Sequence, residues 1–412
     1  MGPVASFSPF QITQGERQFS VASKRAAEAT AIDVNEDQVL SDSEILSFLE
    51  ETDCLPHAHG DAKPSFNEAK VLADYKAHLR GQDSPHKAAY HTYEQISQEL
   101  TSLAEQYPDK AQKVSIGKTH EGRDIWALRV SSDVSSDDTS KKPGIVVTGL
   151  HHAREWATSE VPTSIAKATL EGYDKDAAAK NRVDNAELWF VPVVNPDGYE
   201  YSRNEDAWWR KNRRPITETP CGPVRGDVRG VDLNRNYSDN KPEHAHIWRP
   251  KGDDQCSTRD DGRATSDDPR KDTYRGPSGA SEAEVQSLLK LELGRENIKG
   301  VLDFHAYGGM ILYPWGGTRD KVDNVETYQR IGNAMNEAIG DERYRVFQSV
   351  DLYPTSGGSH DVHHANGIFS ITAEIGDSFH PSESQLPKIV GQGTRIGTTF
   401  IDQVLADKAL IS

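Results

Sequence analysis

His152 and Glu155 stand three residues apart, a spacing that lets both side chains leave one face of a helical turn. Imidazole nitrogen and carboxylate oxygen are both zinc donors. A third donor from a remote strand end, here His305, would complete a common plan for a catalytic site. Two histidines and one glutamate leave a fourth coordination position for water. His151 opens an alternative, because it too can share a helical face with Glu155. An isolated His-x-x-Glu is commonly a surface pair, so the rest of the chain must support the assignment.

The surrounding elements would bring these residues together. Strand-like runs at Ile125 to Val130, Gly144 to Leu150, Glu187 to Val194, Lys299 to Phe304 and Ile368 to Ala373 alternate with helical patterns. The helical runs are Tyr93 to Tyr107, Trp156 to Leu170, Ser281 to Leu293 and Val325 to Ile339. This predicts an α/β fold: a mixed, mostly parallel central sheet flanked by helices. In such sheets ligands sit beyond the carboxyl ends of the strands. The segments His151 to Glu155 and Asn195 to Gly198, with His305 and Glu374, all fall at such ends.

The chain has 412 residues, 35% hydrophobic and 27% charged, which fits a large folded domain with an appendage. A formal net charge of −17 argues against a nucleic-acid partner. No run approaches the ~20 apolar residues of a membrane helix. The start of the chain shows neither the basic nor the apolar region of a secretory signal. Three cysteines, Cys54, Cys221 and Cys256, exclude a disulfide scaffold but allow one bridge.

The chain resembles the zinc carboxypeptidases of the carboxypeptidase A and carboxypeptidase T type, over roughly residues 88 to 408. The resemblance rests on Gly149 to Trp156, Val194 to Tyr199, Trp209 to Arg213, Gly230 to Asn236, Tyr274 to Pro277, Asp303 to Tyr307 and Leu312 to Gly316, then Tyr353 and Thr372 to Glu374. All come in the family's order, and their register selects His152 over His151. The resemblance implies one Zn²⁺ per chain, held by His152, Glu155 and His305. Glu374 is then the general acid/base, and Arg210 stabilises the developing oxyanion. Asn234 and Arg235 would grip the substrate's terminal carboxylate, with Arg154 adding positive charge along the cleft. Tyr353 would close over the bound terminus, and Tyr307 would line the neighbouring subsite. The pocket for the terminal side chain would include Leu312, Gly316, Gln348, Leu352, His360 and Thr372. His360 matches neither the aliphatic residue of aromatic-preferring relatives nor the acid of basic-preferring ones, so the preference stays open. His360, His363 and His364 form a His-rich stretch that reads as a polar wall more readily than as a second metal site. Cys221 and Cys256 flank the Asn234 segment much as a bridged pair does in carboxypeptidase A.

Residues 1–86 read as a separate, mainly helical segment ahead of a catalytic domain at 87–412. Helices are expected from near Asp42 and over roughly Phe66 to Leu79. Asp33, Asn35, Asp37 and Glu44 fall at positions 1, 3, 5 and 12 of an EF-hand-like loop, a candidate Ca²⁺ site. Gln38 replaces the glycine of the sharp turn, and the same residues suit an acidic helix start capped by Ser41 or Asp42. By position the segment could instead be a propeptide. The expected protein is a secreted or extracellular monomeric exopeptidase acting on peptide and protein C-termini. The competing readings are an amidase of cell-wall peptides and a non-catalytic binding protein of the same fold.

Overall fold

The computed structural model describes residues 7–14, 17–22, 29, 32–33, 39–51, 68–80, 86–136, 142–248, 264–340 and 344–412. Near the start, β1 (Phe7–Gln14), β2 (Arg17–Ala22) and β3 (Val39–Leu40) form a small sheet in the order β2-β1-β3. Then come β4 (Ala111–Lys118), β5 (Asp124–Val130), β6 (Gly144–Gly149), β7 (Glu187–Val191) and the hairpin β8 (Glu218–Thr219) and β9 (Gly222–Pro223). Last are β10 (Ile298–His305), β11 (Met310–Tyr313), β12 (Arg345–Gln348) and β13 (Phe369–Glu374). Eight of these form the central sheet, ordered β12-β11-β13-β10-β6-β7-β5-β4. Four of its seven strand pairs are parallel and three antiparallel, so the expected mixed, mostly parallel sheet is present.

Alternation along each strand explains the layering. On β6 and β7, Ile145, Val147, Leu188 and Phe190 enter one apolar core, while Val146, Trp189 and Val191 enter the other. The first core is covered by helices Ala157–Gly172, Val325–Ile339 and Leu386–Ala406. The second is covered by helix Ala283–Glu292 through Val285, Leu288 and Leu291. Strands β13, β10, β6 and β7 run parallel to one another, so their carboxyl ends share one edge of the sheet. In the β10–β13 ladder, His305 lies directly opposite Glu374.

The N-terminal helices appear at Asp42–Glu51 and Glu68–Leu79, as expected, but the three short strands beside them were not foreseen. Strands of two to eight residues in polar sequence leave too few alternating positions to be read. Ser41 and Glu44 cap the first helix reciprocally: Ser41 N–H donates to Glu44 Oε2 at 2.9 Å and Glu44 N–H to Ser41 Oγ at 3.2 Å. The capping reading therefore describes Glu44, while Asn35 and Asp37 lie outside the described residues and the calcium reading gains no support. The second helix packs Tyr75 edge-on against Trp208, with ring centroids 4.8 Å apart.

Gly149 ends β6 where the chain must turn into the site. A Cβ there would stand 2.3 Å from the Thr158 carbonyl oxygen, a backbone atom that cannot rotate away. Gly149→Ala is expected to destabilise the fold by about 1–3 kcal/mol, seen as a lower urea midpoint. Gly391→Ala, in the last long helix with only Arg395 Nη1 within 4 Å, should be neutral or stabilising. Equal behaviour of the two variants would refute the contact argument.

Candidate active site

The loop after β6 carries the His-x-x-Glu pair and is held from several sides. Leu150, at φ 59°, turns the chain sharply, its N–H donating to Thr158 Oγ1 at 3.0 Å. Glu155 N–H donates to the His152 carbonyl at 3.1 Å, closing a tight turn that brings the two side chains together. Asn195 ties this loop to the next one: its Nδ2 donates to the carbonyls of His151 and Lys211, while its Oδ1 accepts Gly198 N–H. The Asn195-Pro196-Asp197-Gly198 motif is thus a structural clasp and helix cap. Asp197 anchors Thr119, Glu121 and Arg123.

His152, Glu155 and His305 are 3%, 2% and 0% exposed, so any charge among them must be compensated locally. His152 Nδ1 lies 2.7 Å from Glu155 Oε1, and His305 Nδ1 lies 3.1 Å from both Glu155 Oε2 and His152 Nδ1. Zinc bonds of about 2.0–2.1 Å at tetrahedral angles put donor atoms about 3.3 Å apart, so these donors are spaced to close around such an ion. Behind them, Asp232 Oδ1 is 3.1 Å from His152 Nε2 and Asp303 Oδ2 is 2.9 Å from His305 Nε2. A carboxylate can only accept, so with zinc between Glu155 and the two rings each imidazole would keep its proton on Nε2 and offer a bare Nδ1 to the ion. Burial, with Arg210 nearby, pushes the His152 pKa down and keeps the ring neutral. Burial opposes charge on Glu155 too, but His152 and His305 outweigh it and hold the carboxyl well below its usual range. The same balance at Asp232 is won by Arg210, whose Nε donates to Oδ2 at 2.9 Å.

One cleft gathers His152, Glu155, Arg210, Asn234, Arg235, Ala306, Tyr307, Met310, Leu352, Tyr353, Glu374 and Phe379. The donor set, an arginine beside it and a half-buried glutamate at the neighbouring strand end together suit metal-assisted hydrolysis of a carbonyl compound.

The sequence profile described as zinc carboxypeptidase matches residues 96–395. The chain belongs to the zinc carboxypeptidase family. Metallocarboxypeptidase A of Trichophyton equinum is 31% identical over 381 residues, covering 88% of this chain and 83% of that protein. Carboxypeptidase A4 of Mus musculus is 30% identical over 70% of this chain, and the match spans 63% of the mouse protein's length. The crystal structure of carboxypeptidase A from Helicoverpa armigera superposes with a TM-score of 0.64 at 27% identity, covering 78% of this chain and 75% of that one.

One expected cleft residue stands elsewhere in this family member. Arg154 is fully buried behind the wall, 3.1 Å from Asp272 and stacked 4.5 Å from the Phe379 ring centre. It shapes Phe379 and does not line the cleft. His360 is buried with Nδ1 3.0 Å from Thr372 Oγ1 and Nε2 beside Gly316, so these three expected pocket residues stand together. His363 pairs with Glu292 and His364 with Tyr328, so the His-rich stretch fans out to different partners. Cys221 is disulfide-bonded, and Cys256 lies outside the described residues. Among the described residues, Asp232, Asp303, Met310 and Phe379 join the site without having been singled out, and Leu352 lines the cleft as expected. For Asp303 a signal existed: it precedes His305 by two on a strand and must share its face.

Arg210 depends on its own run. Lys211 is buried against the Pro269 carbonyl, Arg213 stacks on Tyr201, and Asn212 Nδ2 reaches Glu282 and Glu284 at 2.8 and 3.2 Å. Burial, reinforced by Glu282, pushes the Glu284 carboxyl up to about 8. From the ordinary 4.5 up to about 8 the folded chain holds a proton that the unfolded chain has released, so stability falls as pH rises through that window. Glu284→Gln should therefore gain stability relative to the parent between about pH 5 and about pH 8, measured by urea unfolding at each pH. A difference independent of pH would refute this titration.

Proposed function

We propose that this chain is a zinc-dependent exopeptidase that hydrolyses the C-terminal peptide bond of peptides and proteins. The observation that carries this reading is that Asn234 and Arg235, which suit a terminal carboxylate, line the same cleft as His152, Glu155 and Glu374. His152, Glu155 and His305 would hold the zinc, which when bound acidifies water and polarises the scissile carbonyl. Glu374 takes the proton of the attacking water and returns it to the departing amine. Its place opposite His305 in the strand ladder supports that role. Arg210, oriented by Asp232, donates to the oxygen on which negative charge develops. Arg235, braced by the Asn234 and Ala264 carbonyls, presents its guanidinium to the substrate carboxylate. Tyr307 and Tyr353 border the bound terminus, and Met310 and Leu352 offer an apolar floor.

Two readouts test this. Glu374→Gln should lower kcat about 10²–10⁴-fold while zinc content stays at the parental level. The parent should cleave peptides ending in a free carboxylate and spare the same peptides amidated at the C-terminus. Equal cleavage of both would remove Arg235 from recognition.

The reading extends to a secreted proenzyme in which residues 1–86 form a removable segment ahead of a catalytic domain at 87–412. No described helix is long and apolar enough to cross a membrane. Support for regulation comes from the helix Glu68–Leu79: its Tyr75 packs on Trp208, and Trp208 meets the cleft residue Phe379 at 5.7 Å. Cleavage after the segment is expected to change turnover of a short peptide, followed by mass spectrometry. Unchanged turnover would leave the segment without a regulatory role.

A further inference from the structure

Asp303 is a buried carboxylate with four protein neighbours. Its Oδ1 lies 2.8 Å from Thr148 Oγ1 and 2.9 Å from His151 Nδ1. Its Oδ2 lies 2.9 Å from His305 Nε2 and 3.0 Å from Ser359 Oγ. Beyond His151, Nε2 is 2.7 Å from the Tyr237 hydroxyl. The rings of His151 and His305 stack, with centroids 5.4 Å apart and planes 23° from parallel. Apart from His305 itself, none of these side chains has a part in the chemistry described above.

The polarity of the chain follows from what each group can do. Asp303 accepts, so His305 donates from Nε2, and the His151 proton is placed on Nδ1 facing Oδ1 in a close polar contact rather than a formed hydrogen bond. His151 Nε2 is then an acceptor, and the Tyr237 hydroxyl donates to it. Burial pushes the Tyr237 pKa well above its usual value, which keeps that donor protonated. Asn234 Nδ2, 3.3 Å from His305 Nε2, faces a nitrogen already bonded to Asp303, and its Oδ1 is engaged by Ser359 N–H. The partner ligand, His152, has its own carboxylate in Asp232, which a guanidinium neutralises. Asp303 is compensated instead by two imidazoles and two hydroxyls.

We propose that His151, Asp303 and Tyr237 form a positioning network for His305, fixing its tautomer and ring plane and strengthening Nδ1 as a zinc donor. This rests on the zinc reading above. His151, Asp303 and His305 lie close enough to hold an ion themselves. However, four protein groups already stand within 3.0 Å of the two Asp303 oxygens. The network thus supports the neighbouring centre and is not a second metal site.

The test is zinc affinity of the full chain, by competition with a chromogenic chelator, with melting of the zinc-free forms as the control for folding. Asp303→Asn should bind zinc about 10–100-fold more weakly. His151→Leu should shift affinity the same way by less, and His151→Asn, which keeps an N–H directed at Asp303, should recover part of the loss. If Asp303→Asn does not fold, the two His151 variants decide. Parental affinity in both His151 variants would overturn the proposal. So would two zinc equivalents in the parent falling to one in His151→Leu, which would make the cluster a metal site. A parent that takes up no zinc would instead refute the zinc reading on which the proposal stands.

Discussion

Everything in this site depends on how buried charge is compensated. Glu155, Asp232 and Asp303 are all at most 2% exposed and all held ionised. Arg210 supplies one positive charge beside them, and a dication between His152, Glu155 and His305 would supply the other two. Such an arrangement is costly unless every partner is in place. The loops that hold the partners must therefore be rigid, and their rigidity is visible in the bonds that link them. Asn195 clasps the His151 and Lys211 carbonyls, and the Arg210 carbonyl accepts Ala153 N–H.

The sheet supplies the positions that these loops refine. Four parallel strands end at one edge, and register places His305 opposite Glu374. A slip of one residue would turn Glu374 to the other face and into the apolar core. Ile371 and Ala373 on the alternate face, packed in that core, prevent the slip. The hydrophobic alternation that makes the strand thus also aims the glutamate. On the opposite side of the ladder Met310 pairs with Glu374, which brings the apolar cluster of Met310, Leu312 and Leu352 to the cleft.

Much of the architecture was legible because its strands are apolar and turn-bounded. The helix Val325–Ile339 coincides with its predicted span, and the strands at the centre of the sheet shift by only a few residues at their ends. Strands β4, β11 and β12 were not read. Strand β4 alternates weakly, with half-exposed residues on an edge, and β11 and β12 have four residues each. Arg154 illustrates a different limit. Its sequence neighbours point to a cleft, yet it is fully buried, stacked on Phe379 and 3.1 Å from Asp272.

The sequence by itself determined the α/β class and the grouping of reactive residues at strand ends. These follow from residue chemistry and from periodicities of two and 3.6, which are local properties of the chain. Tertiary structure alone decided that Asp232 orients His152, that Asn212 anchors the Arg210 run, and that Arg154 backs the wall. Those roles arise from contacts between residues tens to more than a hundred positions apart, and only the folded sheet sets their distances.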